Sequence, residues 1–412
     1  MNLYYNFVKR PDLITQTKFH TMKRIILTFA SLILFLASCC KEESMSELTD
    51  RVFAVAQEQA ILMASRLEDN STPKTFENGT CIDAPAEWWC SGFFPGTLWQ
   101  IYEYTGNEAL IELAKKETAK VEPVKFTNDH HDVGFQINCS FGHQYRLTGD
   151  TTALAVMRTA AHSLAHSFSP VVGCIKSWPF IKDGFHWVYP VIIDNMMNLE
   201  LLMVIGNMDN DDKLKNVAIS HADRTMKNHF REDYTTWHLV DYVPETGEVN
   251  KKITVQGLAD SSAWARGQAW ALYGFLMMYQ QTGDLKYLQL AQNIADMIIP
   301  YLPEDGVPYW DFNDPKMPDT YRDASAGAVM ASAFIALDQV AENGKDYLKV
   351  AERQLRTLAS EEYLAKVGTN GNFILKHSVG NLPENAEVDV PLTYADYYFI
   401  EALLRYSRLL KK

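Results

Sequence analysis

Apolar residues recur at helical spacing along the chain from residue 46 onward, and short polar turns separate the helical stretches. Three of these turns share one pattern, Tyr-x-x-Thr-Gly followed by Asn or Asp, at 102–107, 145–150 and 279–284. The glycine permits the left-handed conformation that ends a helix, and the Asn or Asp after it caps the next helix. The repeated unit is therefore predicted to be a helical hairpin in an all-α domain.

Looser copies of the turn occur at 205–207 and 342–346, so the hairpin spacing of tens of residues persists along the chain. An array of this kind forms either an open solenoid or a closed ring. A closed ring exposes no terminal hydrophobic face, and the sequence shows no obvious polar capping repeat. This pattern favours the ring without excluding the solenoid.

Five longer segments, rich in polar and aromatic residues, interrupt the helical pattern. They are 81–94, 126–132, 173–189, 237–260 and 307–323. A helical ring gathers such connections at one end, and binding residues concentrate in loops that a rigid scaffold holds. We therefore expect the functional site among these segments.

The first 39 residues have the pattern of an export signal. Met22 and two basic residues precede the apolar run 25–36, and small residues then lead to Cys39. This order resembles a bacterial lipoprotein signal with Cys39 as the lipidated residue, and it favours Met22 as the true start. The run is shorter than the ~20 residues of a membrane span, and an uncleaved N-terminal anchor is the alternative. We expect a lipid-anchored protein of the bacterial envelope, facing the periplasm or the cell surface.

The sequence thus divides into a signal (1–39), a short charged tether (40–50) and one helical domain (51–412). The 412 residues are 47% hydrophobic, which is ample for one large core. The formal net charge of -13 argues against a nucleic-acid partner, because phosphate binding needs a basic face. An anionic ligand would need local positive charge to overcome the field of the whole protein.

The six cysteines give no sign of a metal site, because none forms a C-x-x-C pair or has His at ligand spacing. A Cys81–Cys90 disulfide and buried free thiols both remain open for the domain. Cys39 is the last residue of the signal segment and Cys40 the first of the tether, and the domain contains Cys81, Cys90, Cys139 and Cys174.

Asp132 is the first candidate catalytic residue. It follows His130 and His131 at the point where a loop enters an apolar helix. A helix-capping role is the structural alternative for such an Asp. The adjacent His and Asp could also hold a metal, but further ligands at useful spacing are missing. We therefore expect an active-site carboxylate flanked by His131, and no metal.

Asp194 is the second candidate, in the strongly apolar run YPVIIDNMMNL at 189–199. A buried carboxylate is costly unless it is paired or hydrogen-bonded. Desolvation would raise its pKa and keep it protonated near neutral pH, which is the condition for a general acid. The alternative is a helix cap that packing happens to bury, and the nearby Asn195 and Asn198 could support either role.

Two later segments combine aromatic and charged residues in ways that a plain core does not need. Arg266 presents a guanidinium fork that matches a carboxylate, although it could instead pair with Asp260 as a structural ion pair. The sequence shows no GxSxG, HExxH or P-loop pattern, so serine hydrolysis, zinc proteolysis and nucleotide hydrolysis lack support. We expect no cofactor. The other candidate residues in these segments are His238, Gln256, Trp264 and Trp270.

Several of these segments together resemble the unsaturated glucuronyl hydrolases of glycoside hydrolase family 88. The likeness extends from about residue 54 to residue 409, with the ARGQAW block as its most specific piece. The segments, in the order of the family, are WWCSGFFPGTLWQIYEYTGN (88–107), HHDVGF (130–135), YPVIIDNMMNL (189–199), TWHLVDYVPETGEV (236–249), SSAWARGQAWALYGF (261–275) and TYADYYFIEALLR (393–405).

The resemblance implies a closed (α/α)6 barrel of six helical hairpins. It implies a substrate oligosaccharide whose terminal uronyl sugar carries the C4=C5 double bond that polysaccharide lyases create. Asp194 would protonate C4 and activate the water that adds at C5, while Asp132 would bind the sugar hydroxyls and tune Asp194. The residues that match the family's substrate-binding positions are Trp89, His131, His238, Gln256, Trp264, Arg266 and Trp270.

Some properties stay open at this point. The segment 377–381 does not match a family pattern, so the glycan and its sulfation are not identified, and the oligomeric state is unknown. The nearest alternative is an unsaturated rhamnogalacturonyl hydrolase of the related family, with the same fold and chemistry. A sugar epimerase or isomerase that uses histidine bases and a non-catalytic glycan-binding lipoprotein are the alternatives from other classes.

Overall fold

The structure of the protein is a computed structural model that describes residues 43–180, 184 and 186–411. The predicted signal, with Met22 and Cys39, lies outside the described residues. The chain separates into two compact units, Met1–Glu47 and Leu48–Lys412. The first is described only over 43–47, and the second contains the fold and the site discussed below.

Twelve helices follow one another in the described part of the chain, and they contain most of its buried hydrophobic residues. Their bounds are α1 Met45–Arg66, α2 Phe93–Thr105, α3 Ala109–Val121, α4 (Val133–Ile137, a π-helical turn Asn138–Gly142 and His143–Thr148), α5 Thr151–His166, α6 Asn195–Asp209, α7 Asp212–Asn228, α8 Ala265–Thr282, α9 Leu285–Ile298, α10 Ala324–Asp338, α11 Tyr347–Leu358 and α12 Thr393–Leu410.

The even-numbered helices form a closed inner ring, in which each packs against the next and α12 returns to α2. More than half of the residues in each are buried, and in α10 every residue from Ala324 to Leu337 is buried. A helix that is hydrophobic on all sides belongs inside a larger layer. The odd-numbered helices form that layer, and α1 joins it through the Arg51 guanidinium on Ala359 O and the Tyr104 hydroxyl on Asp50. The predicted (α/α)6 barrel is confirmed.

The tight turns that join inner to outer helices use the predicted chemistry. Gly106, Gly149 and Gly283 end their helices with φ between 67° and 72°. The side chains of Asp150 and Asp284 then accept backbone N–H groups of the following helices, at 2.8 and 3.0 Å. The glycine lacks a Cβ and so adopts positive φ without strain, and the Asp satisfies helix donors that have no partner within the helix.

One looser copy of the turn was predicted in the wrong place. Gly206 lies inside α6, which continues to Asp209, and the left-handed residue that ends the helix is Asn210 with φ 54°. Asn tolerates this conformation through its short polar side chain, so the turn does not need the glycine. Asp211 then caps α7 through the N–H groups of Lys213 and Leu214.

Short strands occupy the long connections from outer to inner helices, at the end of the ring opposite the tight turns. All the pairings are antiparallel, and β5, β6 and β7 form a three-stranded sheet in that order. The strands are β1 Thr72–Glu77, β2 Thr80–Ala84, β3 Phe168–Ser169, β4 Cys174–Ile175, β5 Tyr189–Ile192, β6 Leu239–Tyr242, β7 Val249–Ile253, β8 Ser378–Asn381 and β9 Ala386–Val390.

Two further properties bear on the expectations from the sequence. No helix in the described part of the chain has both the length and the hydrophobicity needed to cross a membrane. The four cysteines of the domain carry free thiols, so the alternative of a Cys81–Cys90 disulfide is wrong. Cys90 is buried, whereas the Cys81 thiol faces Gly371 O at 3.9 Å.

Helices α4 and α6 approach unusually closely at Gly134. A Cβ placed on Gly134 would lie 2.5 Å from the Cα of Asn198. The Asn198 side chain bonds both helices, because its Oδ1 accepts the Phe135 N–H at 2.7 Å and its amide reaches Asp194 O at 3.5 Å. The residues that precede the two helices, Asp132 and Asp194, are thereby held near each other.

We expect Gly134→Ala to destabilise the protein by about 1–3 kcal/mol, the usual effect of overpacking against backbone atoms. It should also lower catalytic activity, since the helices must separate. Gly327→Ala on α10 is the matched control, because its new Cβ would meet nothing closer than Pro308 at 3.3 Å. Thermal unfolding of both variants checks this, and equal melting temperatures would refute the close approach.

Candidate active site

Asp132 and Asp194 occupy the position just before α4 and α6, yet neither side chain caps its helix. Their carboxylates therefore remain available to another group. Both are mostly buried, with 18% and 14% of the side chain exposed. For Asp132, the alternative of a plain helix cap is wrong, and the same holds for Asp194.

Burial dominates the electrostatics of both carboxyls. Desolvation raises the pKa of Asp194 to about 7, while the positive charge of Arg266 acts in the opposite direction. Burial also raises the pKa of Asp132 well above its usual range, and the charge of Asp194 raises it further. Since each ionised carboxylate disfavours ionisation of the other, the pair retains a proton near neutral pH.

His131 lies directly beside the first carboxylate. Its Nε2 is 3.4 Å from Asp132 Oδ1, and its backbone N–H donates to Ser177 O. Burial lowers the pKa of His131 well below its usual range, so the ring is neutral. The Nδ1 of His130 instead accepts the backbone N–H of Asp132 at 3.1 Å, which turns this ring toward the main chain.

His238 faces the second carboxylate in a fixed tautomer. Its Nδ1 accepts the backbone N–H groups of Val255 and Gln256, at 3.0 and 3.2 Å. The ring hydrogen therefore sits on Nε2, which is 3.8 Å from Asp194 Oδ2. Residue 256 thus contributes to the site through its main chain, and its side chain is half-buried.

Arg266 is buried, and both terminal nitrogens of its guanidinium already donate hydrogen bonds within the protein. Its Nη1 donates to Asp323 at 3.0 Å and to Val379 O, and its Nη2 donates to Gly380 O at 2.6 Å. The predicted alternative of an ion pair with Asp260 is wrong, because Asp260 accepts the N–H of Thr254. The guanidinium ties strand β8 to the site and projects positive charge toward Asp194 without contacting it.

The predicted aromatic residues line the same region. Trp264 packs against His238 with ring centroids 4.7 Å apart and also lies under the guanidinium of Arg266. Trp270 is fully buried beneath the site. Trp89 contacts Tyr394 at 4.9 Å and is only partly buried, so its ring offers a surface on which a sugar could stack. The residues predicted for the site thus lie toward one end of the ring, although Trp270 packs in the core below the site and has no exposed surface for a ligand.

Several residues of this region were not singled out from the sequence. Trp178 lies against His131 at 6.2 Å and stacks on the exposed Phe180. Tyr394 also lies beside Arg266, with its ring centroid 5.4 Å from the guanidinium. The aromatic content of the segment 173–189 was a usable signal for Trp178. No local signal indicated Asp323, which is 57 residues from Arg266.

No group of three or more His, Cys, Asp or Glu side chains in the described ranges is arranged to hold a metal ion. A pair of carboxyls that retains a proton, a histidine beside each and a nearby guanidinium are instead the elements of general acid and base chemistry. An open aromatic wall beside them is typical of a carbohydrate site.

Comparisons with known proteins agree with this arrangement. The model of glycosyl hydrolase family 88 matches residues 64–407. An unsaturated glucuronyl hydrolase of Formosa agariphila is 45% identical over 331 residues, covering 80% of this chain and 82% of the relative. An unsaturated chondroitin disaccharide hydrolase of Streptococcus agalactiae is 33% identical, covering 83% and 86%.

Solved structures show the same likeness. An unsaturated glucuronyl hydrolase specific for heparin superposes with a TM-score of 0.86 at 44% identity, covering 89% of this chain and 98% of the other. The unsaturated glucuronyl hydrolase of Bacillus sp. GL1 gives a TM-score of 0.82 at 28% identity, covering 87% and 97%. The chain belongs to glycosyl hydrolase family 88 and is a glycosidase.

Proposed function

We propose that the protein removes the terminal Δ4,5-unsaturated glucuronyl residue from lyase-generated oligosaccharides of the glycosaminoglycan type. The observation that carries the proposal is a buried carboxyl, Asp194, with a pKa of about 7 beside a second buried carboxyl. An acid with this pKa can both donate and recover a proton near neutral pH. The names of the relatives, which refer to heparin and chondroitin products, support this substrate class.

The reaction follows from the state of Asp194. The protonated carboxyl donates its proton to C4, and the C4=C5 double bond becomes a cation centred on C5 and the ring oxygen. Water adds at C5 and returns a proton to Asp194. The resulting hemiketal opens to a ketone at C5 and leaves the anomeric carbon as a hemiacetal. The hemiacetal then becomes an aldehyde and releases the rest of the oligosaccharide as an alcohol. Since no bond forms between enzyme and sugar, the carboxyl separation that distinguishes retaining from inverting glycosidases does not apply.

Three neighbouring residues contribute to substrate binding and to the stabilisation of charge. Asp132 accepts hydrogen bonds from sugar hydroxyls, and its buried carboxyl helps to keep the pair protonated. The Nε2–H of His238 points toward Asp194 and can stabilise the carboxylate after it has donated its proton. Arg266 stabilises negative charge in the site from a distance, which favours binding of the substrate carboxylate in an acidic protein.

Asp194→Asn should reduce turnover by at least about a thousandfold, because an amide cannot donate the proton, while substrate still binds. Loss of the ultraviolet absorbance of the conjugated double bond measures turnover on heparin- and chondroitin-derived unsaturated disaccharides. Asp284→Asn, the same substitution at a helix cap, is the matched control and should retain full activity.

Near-normal turnover by Asp194→Asn would remove this residue from the chemistry. Turnover by the wild type on rhamnogalacturonan-derived fragments, with none on glycosaminoglycan disaccharides, would move the substrate to that of the related family. Sugar isomerisation without loss of the double bond would favour the epimerase alternative.

The raised pKa of Asp194 also predicts how stability depends on pH. The unfolded chain releases this proton near pH 3.8, whereas the folded protein holds it to about pH 7. Stability therefore falls as pH rises through this window, by on the order of 4 kcal/mol at most. Asp194→Asn should match the wild type near pH 4 and melt at a higher temperature than the wild type at pH 8. A difference in melting temperature that does not change with pH would contradict this assignment.

We further propose that the protein is lipid-anchored in the bacterial envelope through Cys39. The support is the order of basic, apolar and small residues before this cysteine in the sequence. Export would place the enzyme where lyase products of extracellular glycans become available.

Cys39→Ser should abolish incorporation of labelled fatty acid and release the protein from the membrane fraction, because the acceptor thiol is gone. Cys40→Ser, one residue away, is the matched control and should remain lipidated. Membrane association of Cys39→Ser without lipid would instead indicate an uncleaved N-terminal anchor.

A further inference from the structure

Asp323 is a completely buried residue at the start of α10, and no pattern in the sequence singled it out. One oxygen of its carboxylate caps the helix, because Oδ1 accepts the Ser325 N–H at 3.0 Å and the Ser325 hydroxyl at 2.6 Å. Asp284 caps α9 through the same kind of bond but is exposed at a tight turn. The burial of Asp323 calls for a further partner, since a buried charge is costly unless it is paired.

That partner is the guanidinium of Arg266. Oδ2 of Asp323 accepts a hydrogen bond from Arg266 Nη1 at 3.0 Å, and both side chains are buried, with 0% and 2% exposed. The Val379 N–H of β8 also donates to Oδ1 at 3.4 Å, so one carboxylate joins α8, α10 and β8. A buried ion pair fixes the position of its cation, because separation would leave both charges uncompensated away from water.

Arg266 lies close to Asp194, because α8 packs against the residue that precedes this carboxyl. A Cβ placed on Gly267, next to Arg266, would lie 3.4 Å from Cγ2 of Ile193, next to Asp194. The charge of Arg266 acts on Asp194 across this contact, although the guanidinium makes its ion pair with Asp323 instead. The position of the guanidinium therefore depends on the groups that bind it.

The acceptors of the guanidinium differ in charge. Val379 O and Gly380 O both accept hydrogen bonds from it, Gly380 O at 2.6 Å, but a carbonyl offers only a dipole. Asp323 supplies a full negative charge. A hydrogen bond between two ionised groups is roughly twice as strong as one between neutral groups, so we expect Asp323 to contribute most to holding the guanidinium.

The other ionisable side chains near Arg266 are less suited to hold it. The carboxyl of Glu387 is paired with Lys74 of β1 at 3.5 Å, and burial raises its pKa. Burial also raises the pKa of Tyr394 well above its usual range, so the phenol is neutral. Without Asp323, the nearby carboxyl that would attract the guanidinium is that of Asp194.

Contact with Arg266 would change the state of Asp194. Besides Arg266, the ionisable groups that Asp194 faces are Asp132 and His238, whose Nε2 lies 3.8 Å from its Oδ2. An arginine beside a carboxylate lowers the pKa of that carboxyl by about 1–3. Such a contact would oppose the burial that raises the pKa of Asp194 to about 7, and the acid would be ionised at neutral pH.

We propose that Asp323 is a positioning residue for the reaction. It holds the guanidinium of Arg266 away from Asp194, and the acid thereby keeps the proton that it donates. Asp323 is completely buried and acts through Arg266 rather than on the sugar. The role rests on the proposed function of Asp194 as the acid.

Asp323→Asn in the full-length protein tests the charge separately from the cap, because asparagine caps a helix as well as aspartate does. We expect Asp194 to lose its proton at a pH lower by about one unit or more. Carbon-13 NMR of labelled aspartate carboxyls follows this titration without substrate, and Asp194→Asn identifies the signal. On the unsaturated disaccharide, the fall of kcat/KM with rising pH should begin lower by the same amount.

Asp311→Asn is the matched control, because Asp311 is also completely buried in the segment before α10. Its carboxylate accepts the Leu258 N–H at 2.9 Å and the Ser262 hydroxyl at 2.6 Å rather than a guanidinium. This variant should leave the titration of Asp194 unchanged.

The double variant Asp323→Asn, Arg266→Gln keeps the proposal testable if Asp323→Asn alone folds poorly. It removes both charges of the buried pair and so leaves no unpaired guanidinium. Since the cation is gone, Asp194 should hold its proton to at least as high a pH as in the wild type.

An unchanged titration of Asp194 in Asp323→Asn would overturn the proposal. A lowered pKa of Asp194 in the double variant would overturn it as well, because Asp323 would then act without Arg266. The same downward shift in Asp311→Asn would assign the effect to general loosening of the segment. Absence of turnover by the wild type, with all three titrations as expected, would refute the proposed function but support the role of Asp323 in holding Arg266.

Discussion

The desolvation of two neighbouring carboxyls is the constraint on which the rest of the active site depends. Asp132 and Asp194 lie at the starts of two inner helices that meet at Gly134, where only a glycine fits. Because burial disfavours the ionised form of each, the pair retains a proton that free carboxyls would have lost. The acid is thus a product of the helix packing rather than of any single residue.

Asp194 keeps its proton because the positive charge of Arg266 does not contact it. If Arg266 bonded Asp194 directly, the ion pair would lower the carboxyl's pKa and remove the acid. Its fork instead holds Asp323 and the carbonyls of β8, and Asp194 receives only a longer-range field. His238 is likewise oriented by two backbone N–H groups. The guanidinium of Arg266 and the ring of His238 are therefore fixed in place before substrate binds, so little reorganisation accompanies the reaction.

Features that depend on neighbouring residues could be predicted from the sequence, whereas contacts between residues far apart in the chain could not. The turns at Gly106, Gly149 and Gly283 were predictable, because a glycine and the capping residue after it act within a few positions. The turn at 205–207 was misplaced, since Asn210 takes the left-handed conformation as readily. The partner of Arg266 could not be predicted, because Asp323 meets it only once the ring has closed.

Asp residues at helix starts show why residue type alone does not reveal function. At the tight-turn end, backbone hydrogen bonding from Lys286 lowers the pKa of Asp284, and the carboxylate stabilises its helix. At the opposite end, Asp194 caps nothing, and burial raises its pKa to about 7. The second arrangement costs stability above the pH at which the unfolded carboxyl ionises, because the folded protein must either hold the proton or bury the charge. The same residue type therefore stabilises a helix where its carboxylate meets backbone N–H groups, and stores a proton where packing removes it from water.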